Sequence, residues 1–530
     1  MITIKNILLL LLFLLIGFVL GSKFNEIFSA EGVSEGSDKF NEVLNLTKTH
    51  YYKDVNTDEL VEGAISGMLE NLDPHSVYIP PVEQEAIAEQ FQGNFDGIGV
   101  EFQILDDTIT VVSPIVGGPS EAVGIFAGDR IVEIENKSCI GFTNKQVLKN
   151  LRGDRGTKVK LRIFRPFGSK LIDFTIIRDQ IPLFTVEASI LVGDSIGYIS
   201  LSKFTDTSTL EVKEALGKLT KYGMQKIILD LRNNPGGYLK QAYQIADLFI
   251  DSTKMIVYTK EKNDSKGDEY KAEKDYHYEK MPLVVLINKG SASASEIVSG
   301  AVQDWDRGII VGETSFGKGL VQRPFTLPDN SAVRLTIAKY FTPLGRAIQR
   351  SYKNKDDYYV EVDKRVEEEG ENFNHNAEQD SAKQIFYTKS GKKVLGGGGI
   401  TPDYIVKNNE LTDYTIELRS NNSLYQFIRK YLDTNDYKGK FFAKYHNDFD
   451  KFKKEFTITE DVLKLFISYT KRNNIKFNKK EFNKDKKYIK QRLKAHIARE
   501  FWKNNGWYAI LLEEDQQFMK AKELIGVIDN

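Results

Sequence analysis

Cysteine is almost missing. Cys139 is the only one in 530 residues, so no intrachain disulfide holds the fold and no thiol pair marks a redox or zinc motif. Histidine is scarce too: His50, His75, His277, His375, His446 and His496 are scattered, with no pair four residues apart and no His-Glu-x-x-His run. No metal site and no cofactor is therefore expected. Net charge is nearly nil, −1 from 73 basic and 74 acidic residues, which removes the electrostatic basis for whole-protein binding to nucleic acid. A chain that is 41% hydrophobic and 28% charged is neither disordered nor a multi-span membrane protein. Its length fits three or four domains at roughly 100–200 residues each.

One apolar stretch is present, Ile7 to Leu20, preceded by Lys5 and broken only by Gly17. It is short for a membrane helix, which needs about 20 residues, and suits a secretory signal. No small-x-small cleavage site follows it, so residues 7–21 are also read as an uncleaved membrane anchor. We expect an exported protein of the cell envelope, periplasmic or held on the inner membrane facing the periplasm.

Residues 34–81 carry apolar positions at spacings of three and four and read as short helices. From Phe91 to Arg178, short apolar or alternating runs separated by turns predict a small β-rich module with a helix over Asn144–Leu151. From Ile196 onward, strands and helices alternate: strands over 196–204, 226–231, 283–288 and 308–313, with helices over 208–222, 238–250 and 294–304. This pattern predicts right-handed crossovers and a largely parallel α/β core. Asp356 to Asp380 holds ten acidic and two basic residues and reads as a solvated insertion. Beyond Leu411 the chain is helical and rich in Lys, Asn, Phe and Tyr. Its basic run from Lys476 to Lys494 is read as a solvated helix face rather than an anionic-ligand patch.

Three segments carry chemistry. Ser291-Ala-Ser293-Ala-Ser-Glu296 lies between an apolar strand and an amphipathic helix. Ser293 and Glu296 have capping-box spacing. A serine at a helix mouth is also a nucleophile candidate, because the helix N-terminus stabilises developing negative charge. With no histidine at the expected positions and no Gly-x-Ser-x-Gly elbow, the remaining base is Lys318, in Ser315-Phe-Gly-Lys-Gly; a lysine serves only when neutral, which desolvation favours. Leu229-Asp-Leu-Arg-Asn-Asn-Pro-Gly236-Gly237 ends a strand and presents unobstructed backbone N–H groups to an anion. The topology sends all three to one sheet edge. Gly312 to Lys318 also matches part of a phosphate-binding loop, but Gly319 stands where the magnesium-binding Ser/Thr belongs and a strand follows instead of a helix.

These segments, with Leu72-Asp-Pro-His-Ser76, Gly97-Ile-Gly-Val-Glu-Phe102, Pro119–Asp129, Tyr340-Phe-Thr-Pro-Leu-Gly-Arg346 and Gly398-Gly-Ile-Thr-Pro-Asp403, resemble the carboxyl-terminal processing, or tail-specific, serine proteases, in family order over about residues 35–410. Leu344 departs from the small residue usual after Thr-Pro. The resemblance implies a crotonase-like layered α/β protease core, an inserted PDZ domain and a helical C-terminal region outside the common part. The corresponding division is 1–30 signal or anchor, 33–87 helical, 88–180 PDZ, 181–410 core with the insertion at 354–390, and 411–530 helical.

Carried over by position, the resemblance makes Ser293 the nucleophile, Lys318 the base and Gln322 the residue orienting its amine. It gives the oxyanion hole to the N–H groups of Ala294 and of Gly236 or Gly237, and a supporting role to Asp304. Gly97, Ile98, Gly99 and Val100 would hold a chain-terminal carboxylate, with the next strand pairing to the peptide. The expected partners are proteins or peptides with apolar C-termini. Self-association into a homo-oligomer stays open, and the competing reading is a non-catalytic PDZ-bearing scaffold.

Overall fold

A computed structural model describes residues 33–166, 171–193, 195–352, 358, 384–408, 410–434, 437–445 and 448–527. The apolar N-terminal stretch and all but Tyr358 of the acidic segment lie outside the described residues, as does His446. The chain forms two compact units, one from the residues up to 79 with 324–335, the other from 80–323 with 336–530.

In the first unit, helices Val33–His50 and Thr57–Leu69 precede the Asp-Pro-His-Ser turn. The Asp73 carboxylate closes that turn, accepting from His75 N at 2.9 Å, Ser76 N at 3.1 Å and Ser76 Oγ at 2.6 Å. This is the local side-chain-to-backbone bonding that makes Asp a turn former. Strand Val77–Ile79 then pairs antiparallel with residues 332–334.

The second unit contains the expected parallel sheet. Its strand order is Val186–Val192, Ile196–Leu201, Lys226–Asp230, Leu283–Ile287, Ile309–Gly312, Tyr404–Ile405. Only the first pair is antiparallel. The central strand Leu283–Ile287 is five apolar residues, all buried, as a strand covered on both faces must be. Each such Leu or Ile contributes about 2 kcal/mol by leaving water. Helices Ser208–Lys221, Leu239–Asp247 and Ala294–Asp304 make the crossovers. The last is buried along its whole length. Its small residues permit this: a Cβ on Gly300 would stand 2.9 Å from Thr342 Cγ2.

The first strand stops at Leu201 rather than Phe204; Phe204 instead forms a lone parallel bridge with Gly237. Several strands were not expected, among them Val186–Val192 at the edge of the parallel sheet and Met255–Lys260 with Lys266–Lys271, an antiparallel pair beside the C-terminal part of Ala332–Phe341. Lys266–Lys271 is mostly charged and lies at its sheet's edge, so its sequence lacks an apolar face to announce it.

The inserted module holds strands Val100–Leu105, Thr108–Pro114, Arg130–Ile134, Lys158–Phe164 and Leu171–Ile177 in that spatial order, with helix Asn144–Leu151 capped by Thr143. Its own core gathers Ile109, Val111, Ile131, Val147 and Ile163. Beyond Leu411 come helices Asp413–Ser420, Ser423–Asp433, Tyr437–Tyr445, Phe449–Glu455, Glu460–Arg472, Lys479–Lys484, Lys486–Leu511 and Gln516–Val527. Most of them enclose a separate aromatic-rich core around Phe427, Phe452 and Phe466.

Candidate active site

Register places the site. Asp230 pairs with Leu286, and Ile287 with Gly312, so three parallel strands end side by side. The loops 231–238, 288–293 and 313–319 therefore leave from one edge, the usual position of a ligand site in an open α/β sheet.

Ser293 is the N-cap of helix Ala294–Asp304 and has φ 55° and ψ −111°. A positive φ at a non-glycine residue is a strained conformation of the kind that clusters at functional sites. Ser293 is partly exposed, whereas Ala292 and Ala294 are buried on either side. Its N–H donates to Glu296 Oε2 at 2.8 Å, the reciprocal bond of a capping box.

The same buried carboxylate also takes Lys318 N at 2.8 Å, Gly317 N at 2.7 Å and Ser315 Oγ at 2.5 Å. Burial pushes the Glu296 carboxyl above the usual range, and these four hydrogen bonds pull the other way. The Tyr340 hydroxyl, itself buried, donates to Lys318 O and reaches Ser293 O at 3.1 Å. Burial, and then the nearby Glu296 charge, hold its pKa well above the ordinary tyrosine value, so it stays a donor. Glu296 thus does more than cap a helix: it joins the serine turn to the lysine turn.

Asn234, fully buried, ties the third loop to the same place. Its Nδ2 donates to Leu201 O at 2.8 Å, its Oδ1 accepts from Gly236 N at 2.9 Å, and its carbonyl accepts from Ala292 N at 3.0 Å and Ser295 Oγ at 2.9 Å. Gly236, at φ 97°, lies against the Ser293 turn; a Cβ there would stand 2.8 Å from Ser293 Cβ and 2.9 Å from Ala294 N. The N–H groups of Gly237 and Ala294 donate to no group among the described residues. Lys318 is partly exposed. Gln322, on strand Leu320–Thr326, has its amide nitrogen buried with no hydrogen-bond partner among the described residues.

Asp304 sits at the far end of the helix that Ser293 caps. Its carboxylate pairs with Arg346 at 2.5 Å, both buried, and accepts from Leu344 N at 2.9 Å, so it secures the Thr-Pro-Leu-Gly-Arg turn. In the inserted module, Gly99 has φ 74°, and Ile98 O is held by Ser120 through N at 3.0 Å and Oγ at 2.5 Å. Strand Val100–Leu105 follows at the sheet's edge and, among the described residues, pairs with one neighbour only.

Sequence reasoning had not singled out Asn234 or Tyr340, and it gave Glu296 only a capping role. Spacing announced the cap; the second task of Glu296 depends on a turn some twenty residues away in sequence. Among the described residues no group of His, Cys, Asp and Glu could hold a metal ion.

A parallel sheet with serine, lysine and glycine turns at one edge, preceded in the chain by a PDZ-like module, defines a class of layered α/β hydrolases, and comparison with known proteins gives the family. Residues 195–360 match peptidase family S41, 110–165 a PDZ domain, and 22–81 the N-terminal domain of the activating protease CtpB. Residues 414–503 match a family of unknown function. The chain is 40% identical over 314 residues to carboxy-terminal processing protease CtpA of Bacillus subtilis, covering 59% of this chain and 66% of that protein. It is 38% identical to the carboxy-terminal-processing protease of Bartonella bacilliformis, covering 59% and 72%. To a probable CtpA-like serine protease of Staphylococcus saprophyticus it is 34% identical, covering 80% and 85%. The chain belongs to the carboxy-terminal processing proteases of peptidase family S41.

Proposed function

We propose that this chain is an exported serine endopeptidase that reads apolar C-terminal tails through its PDZ module and cleaves with Ser293 and Lys318. The observation that carries the reading is the sharing of Glu296 and Tyr340 by the Ser293 and Lys318 turns. Export rests on the apolar stretch at residues 7–21.

In this mechanism neutral Lys318 takes the Ser293 hydroxyl proton as Oγ bonds to the scissile carbonyl carbon. Negative charge moves to the carbonyl oxygen, which Ala294 N–H and Gly237 N–H stabilise. Gly237 is favoured over Gly236 because Gly236 N–H already serves Asn234. The C–N bond breaks as the lysine ammonium returns its proton to the leaving amine, giving an acyl-enzyme. Water, deprotonated by Lys318, then attacks the ester, and Ser293 departs with that proton. In this reading Gln322, whose buried amide nitrogen has no hydrogen-bond partner among the described residues, turns toward the lysine amine and orients it. The tail carboxylate meets the Gly97–Val100 turn, and the chain ahead of it pairs with the free edge of Val100–Leu105.

The test is cleavage of a protein ending in an apolar tail, followed by mass spectrometry of the products. Ser293→Ala and Lys318→Ala should each lower the rate by about 10³-fold or more. Full activity in either variant rejects the assignment. A scaffold without catalysis would bind the tail yet leave it intact in the unsubstituted enzyme.

A further inference from the structure

The helices after Leu411 meet two separate parts of the same compact unit. Toward the catalytic core, the last helix buries Phe518 and Ile525 against Tyr198, Ile228 and Val284. Asp515 pairs with Arg232 at 2.7 Å, just ahead of the Asn-Asn-Pro-Gly-Gly turn. Lys226 Nζ donates to Ile525 O at 3.0 Å.

Toward the PDZ module, helix Ser423–Asp433 presents Arg429, whose side chain is completely buried between Asp433 at 2.5 Å and Glu500 at 2.8 Å. Its guanidinium lies flat against Gly128 of the module: a Cβ there would stand 2.7 Å from Arg429 Nη1. Asp433 also pairs with the module's Arg130 at 2.5 Å. A buried cation with two carboxylates is maintained only where its geometry is fixed, since each charge left alone would be costly. Tyr425 packs with Leu105 and Val112 beside this cluster.

Around it runs a rim of complementary charge. Lys430 meets Asp106 at 2.8 Å, Arg499 meets Glu101 at 3.0 Å, and Lys503 meets Glu121 at 2.7 Å. In every case the helical region supplies the cation and the PDZ module the anion. Two of the gripped side chains, Glu101 and Gln103, stand on strand Val100–Leu105; Asn422 Nδ2 donates to Gln103 Oε1 at 2.6 Å. Alternation along a strand sends these residues to one face, while Val100, Phe102 and Ile104 pack into the module's own core. Among the described residues no strand pairs with its other hydrogen-bonding edge.

We propose that the helical C-terminal region is an internal brace that fixes the tail-reading strand of the PDZ module relative to the catalytic sheet, gripping that strand from the face opposite its own core. The proposal rests on the reading of Val100–Leu105 as the tail-binding strand. It gives a task to residues 414–503, which match a family of unknown function. A braced strand holds a captured tail at a constant reach from Ser293, so the brace sets where the substrate is cut and how fast the captured chain arrives.

Charge reversal at the exposed rim tests this without disturbing the buried cluster. The full-length chain carries nitroxide labels at Lys160→Cys in the PDZ module and Lys218→Cys in the core; buried Cys139 does not compete for the label. Pulsed dipolar spectroscopy should give a narrow label–label distance distribution. Lys430→Glu, Arg499→Glu and Lys503→Glu together should broaden it, and adding Glu101→Lys, Asp106→Lys and Glu121→Lys should narrow it again. Cleavage of a protein with an apolar tail should fall about fivefold in the first set and recover in the second. Fluorescence anisotropy of a labelled tail peptide should show unchanged affinity in the first set. A distribution as narrow in the charge-reversed chain as in the parent overturns the brace. Distances that respond while no variant, parent included, cuts any tail would uphold the brace and reject the protease reading.

Discussion

Ser293 and Lys318 donate their backbone N–H groups to one and the same oxygen, Oε2 of Glu296, each at 2.8 Å. Their amide nitrogens therefore lie within two hydrogen-bond lengths of each other, although 25 residues separate them. A buried acceptor with two amides on a single oxygen positions both turns at once, and little else in a fold can do so as sharply.

Replacing Glu296 by Gln keeps the shape but leaves a nitrogen where one set of N–H groups needs an acceptor. We expect kcat to fall about 10- to 100-fold with a smaller change in KM. Stability should drop by about 2–3 kcal/mol through the buried amides left unpaired. Steady-state kinetics and urea denaturation measure both. An unchanged kcat would remove Glu296 from any positioning role.

Gly236 tolerates no side chain, because its Cβ would stand 2.7 Å from Ala292 O and 2.8 Å from Ser293 Cβ. Gly236→Ala should therefore displace the Ser293 turn and abolish labelling by a fluorophosphonate probe in a chain that still folds by circular dichroism. The more remote Gly217→Ala meets nothing within 4 Å and should label normally.

Asp304→Asn leaves the buried Arg346 without its carboxylate. We expect a loss of about 3–5 kcal/mol in unfolding free energy. The folded fraction should keep its probe-reactive serine, because Asp304 acts on the Thr342–Arg346 turn, a full helix length from Ser293. Loss of labelling without loss of stability would place Asp304 in the chemistry instead.

His496 packs against Trp507 and Tyr425 and is only partly exposed; desolvation, helped by Arg499 and Arg492, pushes its imidazole down to about 3. A group with a depressed folded pKa binds its proton in the unfolded chain first. Stability should thus decline as pH falls from about 6.5 toward 3, by about 2 kcal/mol at pH 5. His496→Phe should flatten that acid limb in urea titrations at pH 5 and 7, whereas an equal slope in both proteins would contradict the assignment.

Much of this was readable from residue order. Five consecutive buried apolar residues at Leu283–Ile287 and the alternation around them specify a parallel sheet, and chain reversal then sends the Ser293, Lys318 and Gly236 turns to one edge. What could not be read depends on contacts between distant segments with no local pattern. The Glu296 bond to Lys318 N is hidden behind an ordinary capping box, and the charged strand Lys266–Lys271 has no apolar face. Arg429 looks like a surface arginine on an amphipathic helix until Gly128 is brought against it. Basic residues read as a solvated face turn out to be partly committed: Lys486 and Lys490 both hold Glu460.

The decisive measurement is intact-protein and peptide mass spectrometry after exposure to a fluorophosphonate, with rates followed from pH 6 to 10. One adduct should form, on Ser293, faster as pH rises and the base loses its proton, and about 100-fold or more slowly in Lys318→Ala. An adduct on another serine, or a rate indifferent to the loss of Lys318, would show that the two turns meet for structural reasons alone.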